Sequence, residues 1–283
     1  MRLSGWLVLL AVLTCGAFLP NSLAQEGPLD TSQPKGITPQ EIIQRFAAKE
    51  ALFKAAREQY TYTQSVKVMT LDGDTVTGEY QEVFDVVFGI DGKRIENVTF
   101  APQSTLENGN ISMSEQDLQD IRHLMPFVLT SEEIPEYDIV YVGQQQEDEL
   151  HCYVFDVAPK KIEGKKRYFQ GRIWVDDHDF QIVKTYGKSV PDIRKKNDEN
   201  LFPKFTTWRQ QIDGQYWFPT YTRADDVLHF QLNDVHIREI IKYEDYKKFG
   251  ANVKITYDGK EVQKGEQKPD QKPDQPQDTP VQK

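Results

Sequence analysis

The sequence predicts an α+β domain built on an antiparallel sheet of about ten strands, with two helices. Three observations carry this. Strand-length segments with apolar residues at alternate positions succeed one another at short polar turns, as in YFQGRIWVDDHDFQIVKTYGK from Tyr168. Only two segments show helical spacing, and each is preceded by a capping residue. Strands joined by turns of a few residues pair antiparallel. So few helices cannot cover both faces of so wide a sheet, which must curl or close around them.

The chain opens with Arg2 and the apolar run WLVLLAVLTCGAFL from Trp6, too short for a comfortable membrane span. Ser22 and Ala24 place small residues three and one positions before a cleavage point, so residues 1–24 read as a secretory signal peptide. Two alternatives are a retained anchor helix and a lipoprotein signal with Cys15 as the lipidated residue. Gly16 and Pro20 break the first, and the VLT before Cys15 fits the second poorly. Residues 25–37 read as a flexible leader, 38–258 as the folded domain and 259–283 as a disordered tail. That tail repeats KPDQ and holds almost nothing apolar.

Within the domain, TPQEIIQRFAAKEALFKAAREQY begins a helix. Thr38 is the N-cap, Pro39 suits the first helical position and Glu41 completes a capping box. Ile42, Phe46, Phe53, Ala56 and Tyr60 form its apolar stripe. YTYTQSVKVMTL then runs to a DGD turn, TGEYQEVFDVVF returns, and RIENVTFA follows a second turn. SEQDLQDIRHLMPFVL is the second helix: Ser114 caps it with Asp117 at the third position, Leu118, Ile121, Leu124 and Met125 are its apolar face, and Pro126 ends or kinks it. Seven further strand-length segments complete the domain, from YDIVYVGQQQ to VHIREIIKYEDYKKF. In the segment from Tyr168, Phe169, Gly171, Ile173 and Val175 share one face and are expected to be dry. Tyr168, Gln170, Arg172, Trp174 and Asp176 share the other and are expected to be mostly wet.

This order of elements resembles the periplasmic carrier superfamily of LolA and LolB, with the related sensor domains of the RseB type. The resemblance rests on YTQSVKV after the first helix, on YVFDVAPKK and GRIWVDDHDFQIVKTYGKS in the middle, and on DGQYWFPTYTRAD from Asp213. It spans most of the stretch from Thr38 to Tyr246 and implies a strongly curved antiparallel sheet, an unclosed half-barrel, with helices against its concave face. It further implies an exported, periplasmic protein that buries acyl chains of a lipid or lipoprotein in an apolar cavity. An outer-membrane lipid-anchored form is the lesser alternative. Ile42, Phe46, Leu118, Ile121, Phe169 and Ile173 are the residues expected to line the cavity. The runner-up is a sensor or scaffold that binds an envelope protein. The arginine that some carriers use to hold their lid helices closed has no counterpart that can be aligned here, although Arg45 and Arg122 lie on the helices.

Catalytic, metal and cofactor sites are not expected. DDHDF from Asp176 lacks the glycine and terminal Glu of a calcium loop and reads as a hairpin turn. The five histidines show no ligand spacing, and neither a G-x-S-x-G elbow nor a phosphate loop is present. Cys152 is the one cysteine after the signal segment and reads as a small buried strand residue. A net charge of −10 argues against nucleic acid as a partner.

Overall fold

The structure, a computed structural model, describes residues 26–89, 92–109, 111–164, 166–195, 198–249, 255–257 and 260–262. The expected signal peptide and all of the tail beyond 262 lie outside the described residues. Helix α1 (Pro39–Arg57) starts where the capping box sets it. The Thr38 side chain accepts from the Glu41 amide at 3.2 Å, and the Glu41 carboxylate accepts from the Thr38 amide at 2.8 Å. Helix α2 (Glu115–His123) repeats the device with Ser114 and Asp117.

Ten strands form one antiparallel sheet: β1 (Tyr60–Asp72), β2 (Thr75–Phe88), β3 (Arg94–Phe100), β4 (Tyr137–Glu147), β5 (Leu150–Pro159), β6 (Tyr168–Asp176), β7 (Ile182–Val190), β10 (Phe205–Ile212), β11 (Tyr216–His229) and β12 (Asp234–Lys248). Two small hairpins stand apart, β8 (Ile193–Lys195) with β9 (Asp198–Asn200), and β13 (Ile255–Tyr257) with β14 (Lys260–Val262). The last hairpin crosses the expected start of the tail at 259. The sheet order is β3-β2-β1-β12-β11-β10-β7-β6-β5-β4, so β3 and β4 are the two ends of an unclosed half-barrel. Most neighbours are local hairpins, whereas β1 pairs with β12 across the length of the chain. Register shifts at Thr61/Thr63, Thr70/Leu71, Tyr141/Gly143, Trp174/Val175 and Trp208/Arg209 mark bulges, which bend and twist the strands that carry them.

The core lies on the concave face. Phe169, Ile173 and Val175 of β6 are fully buried, as their shared parity requires. Phe127 stacks on Phe169 at 4.3 Å, and Phe46 of α1 meets Phe155 of β5 edge-on at 5.7 Å. The outer face departs from expectation. Trp174 is buried with Cys152, Val154 and Val183, and Leu29 and Trp217 pack against this second cluster. Its cover is the segment expected as a flexible leader. Glu26 and Asp30 bridge to Glu147 and Gln144 of β4, and the Asp30 and Gln144 amides exchange hydrogen bonds at 2.8 and 2.7 Å. Gly143 leaves room for this added strand, since a Cβ there would collide with the Asp30 carbonyl. Glu26 also accepts from Lys184 Nζ, which donates to Glu147 Oε1 at 2.7 Å and lies over the Trp174 ring. The β4 end of the sheet is thereby covered.

Candidate functional site

Helix α1, with 19 residues, fills the concave face over β5, β7, β10 and β11. The centre of that packing is ionic. Glu50 falls on the apolar stripe between Phe46 and Phe53 and is wholly buried. Arg209 of β10, also buried, donates through Nη1 to Glu50 Oε1 at 2.9 Å and to Oε2 at 3.2 Å. Its other terminal nitrogen donates to the Phe127 carbonyl. Thr207, two residues earlier, donates to the Met125 carbonyl at 2.8 Å. Strand β10 therefore pins the chain that leaves α2, and Arg209 ties it to α1. Arg45 and Arg122 do other work: Arg45 lies over the Phe180 ring at 4.9 Å, and Arg122 pairs with Glu96 of β3 at 2.8 Å.

Helix α2 has only nine residues, and the face it covers is not filled. Between it, strands β1 and β12, and residues 199–203 lies a cavity of about 500 Å³. Such a volume falls inside the range of about 300–1,000 Å³ usual for ligand pockets. Val68 and Ile237 form its sheet wall, Ile121 and Met125 its helix side, and Leu201 and Phe202 part of its far side. Polar ties moor the covering pieces. Asn200 Nδ2 donates to Ser114 Oγ at 3.2 Å and to Asp117 Oδ1 at 3.1 Å, while its Oδ1 accepts from Arg167 at 2.8 Å.

Of the six residues expected to line a cavity, Ile121 does so. Ile42, Phe46, Phe169 and Ile173 are packed solid in the core under α1, and Leu118 is half-buried on α2, away from the lining. Sequence parity identified the correct face but not the gap along it. It also missed Glu239. Val235, Ile237, Ile241 and Tyr243 share the inward parity of β12, and Glu239 interrupts them. That interruption is visible in VHIREIIKY without any structure.

Glu239 is 4 % exposed, lines the cavity and has no hydrogen-bond partner among the described residues. Burial pushes its carboxyl up to about 8, and the nearby Asp117 and Asp120 add to the effect. Asp120, on the buried side of α2, rises to about 6 by the same burial, against the Gln116 side chain that donates to it at 3.1 Å. Burial also raises the Cys152 thiol, which makes it inert at neutral pH. Among the described residues, no group of three His, Cys, Asp or Glu is placed to hold a metal ion. DDHDF forms the β6–β7 turn, where Asp176 accepts from the amides of His178 at 3.2 Å and Asp179 at 2.9 Å. A wider cleft of about 910 Å³ on the outer face includes Arg172, Lys184 and Lys188. Each of these cations is held by a carboxylate: Arg172 by Asp156, Lys184 by Glu147 and Lys188 by Asp192.

No protein-family model matches the chain, and no curated relative does. Among solved structures, it is similar to a DUF1329 family protein from Desulfovibrio piger at 13% identity, covering 76% of this chain and 94% of that one with a TM-score of 0.36. It is similar to a LolA superfamily protein from Nitrosomonas europaea at 16% identity, covering 72% and 94%, with a TM-score of 0.29. It is also similar to a chain in the MucA/MucB complex of Pseudomonas aeruginosa at 9% identity, covering 72% and 100%, with a TM-score of 0.21. The LolA superfamily, to which the strand and aromatic pattern pointed, is thus among the chains it resembles. At such identities and TM-scores the likeness bears on neither ligand nor partner.

Proposed function

We propose that this chain is an exported binding protein which buries the apolar chain of a lipid or lipoprotein in the cavity beneath α2. One observation carries the reading: a space of about 500 Å³, apolar along Val68, Ile121, Met125 and Ile237 and acidic elsewhere, between the sheet and a short helix that is moored by polar ties. Burying a chain there is favourable by about 0.8 kcal/mol per CH₂. Only Asp120 and Ile121 of α2 are buried, and a helix with so few buried apolar contacts belongs to the less stable end of a structure. Opening α2 exchanges its ties to Asn200 and Glu96 for water, which is how a chain would enter and leave. Binding is the whole of the activity in this reading, with no catalytic step and no cofactor.

The test is displacement of a neutral naphthylamine reporter by decanol, with Met113→Trp as the blocking variant. Met113 is half-buried at the lining, so a larger apolar side chain there fills space without burying charge. Uptake is expected to weaken by about ten-fold or more in a variant of unchanged thermal stability. Wild-type protein that takes up no reporter, and carries no lipid when purified without detergent, would refute the reading.

A second reading, a sensor or scaffold binding another envelope protein, is favoured by the β3 end of the sheet. Ile95, Val98 and Phe100 there are each about half exposed, at 51%, 51% and 49%. β3 has one strand neighbour, and an edge bearing such residues suits addition of a partner strand. Lysines placed at these three positions would abolish partner binding while leaving reporter uptake intact.

A further inference from the structure

The cavity is one-sided in charge. Glu107, Asp117, Glu199 and Glu239 line it, and no Lys, Arg or His does so among the described residues. Three of the four acids are accounted for without a ligand. Asp117 accepts from the Ser114 amide at 2.7 Å and from Asn200, Glu199 accepts from the Gln231 amide at 2.9 Å, and Glu107 stands exposed at the rim. Glu239 is the exception. It is more than nine-tenths buried, flanked across the ladder by Val68 and Ala224, and its carboxyl reaches the cavity without a partner.

A buried carboxyl without a partner is costly when ionised, and two things relieve it: a proton or a cation. Asp117 and Asp120 from α2 add negative charge there, and although Arg167 acts on both of them it is not in the lining, where no basic side chain stands among the described residues. The same field repels an anionic head such as a carboxylate or phosphate. We infer that the occupant of this cavity is an amphiphile whose polar end is a protonated amine, with the Glu239 carboxylate as its counter-ion. The inference rests on the reading that the cavity holds an apolar chain, and it names the head group that goes with that chain. The apolar body lies along Val68, Ile237 and Met125, and the ammonium donates to Glu239 from within the site.

The experiment displaces the neutral reporter with three probes of equal chain length at about pH 9, where the Glu239 carboxyl has lost its proton and an alkylamine keeps its own: decylammonium, decanol and decanoate. In wild-type protein decylammonium is expected to bind about ten-fold or more tighter than decanol, and decanoate more weakly than either. In Glu239→Gln the advantage of the amine over the alcohol collapses to within about two-fold. Circular dichroism confirms that the variant is folded, and the wild-type ranking stands as a test on its own. Equal binding of decylammonium and decanol by wild-type protein overturns the amine assignment while leaving the apolar cavity in place. Loss of decanol binding in a folded Glu239→Gln assigns this residue to the shape of the cavity and also overturns it. If none of the probes displaces the reporter, the apolar-chain reading itself has failed.

Discussion

Replacing Glu50 by Ala removes, among the described residues, the only carboxylate that faces the Arg209 guanidinium, whose side chain is 1% exposed. What remains to it are the Phe127 carbonyl and the Ile182 carbonyl at 3.3 Å, while its Nε already lacks a partner. Breaking a buried pair from one side costs about 3–5 kcal/mol, because a charge is left uncompensated. For a domain of this size each kcal/mol lowers Tm by about 2–4 °C, so the expected fall is about 6–20 °C. Thermal unfolding followed by circular dichroism measures it. Burial outweighs pairing at Glu50, since its carboxyl sits above the ordinary value despite Arg209. The pair is accordingly a device for position more than for stability. Glu50→Leu combined with Arg209→Met should therefore recover most of the lost Tm while freeing the chain between α2 and β4 from α1. Coupling between the two changes is expected at about 2 kcal/mol or more. A single-variant loss below about 1 kcal/mol, the value of an exposed pair, would refute the argument that this pair is desolvated and clamps the fold.

The Glu239 carboxyl holds its proton up to about 8 in the folded chain and to its ordinary 4.5 in the unfolded one. The folded state thus binds more protons in that window, and wild-type stability falls as pH rises from about 4.5 to about 8, by up to about 5 kcal/mol. Glu239→Gln abolishes this slope, so its Tm should exceed wild type at about pH 9 and match it at about pH 4; parallel curves would contradict the burial of this carboxyl. Ile173→Ala, at a fully buried position, should cost about 2–5 kcal/mol yet leave reporter uptake unchanged in protein that stays folded. Loss of uptake would instead place the ligand against β6. Removing the chain up to Asp30 should strip the Gln144 amide of its protection from hydrogen exchange, because that amide donates to the Asp30 carbonyl. Retained protection would show that the segment does not dock on β4.

Both helix starts were legible because a capping box is a local device, complete within four residues. The hairpins were legible for the same reason, since each is set by its own turn. The closure of β1 on β12 was not, because nothing in either strand names a partner more than a hundred residues away. Trp174 shows the same limit at the scale of one side chain. Its parity correctly assigns the outer face, but residues 26–30 cover that face from elsewhere in the chain. Five of the six residues expected at a cavity lie away from this one, for a third reason. Alternation reports which face of the sheet is buried, and Ile173 and Phe169 are on it. It does not report where a helix of 19 residues packs that face solid and a helix of nine leaves a gap. What the pattern could have yielded is its own exceptions: Glu50 in the stripe of α1, and Glu239 in the inward row of β12.

Those two exceptions work in opposite ways, and the difference separates scaffold from site. Glu50 meets Arg209, and the region around them is closed. Glu239 meets no cation among the described residues, and the region around it is open. A space of about 500 Å³ with acids and an amide in its lining does not stay dry. Water fills a cavity when it finds two or more polar partners there, and Glu239, Asp117 and Asn200 supply them beside the apolar walls. The acid that breaks the parity of β12 therefore makes the cavity negative and gives water a polar partner there, which an amphiphile bearing a cation can displace.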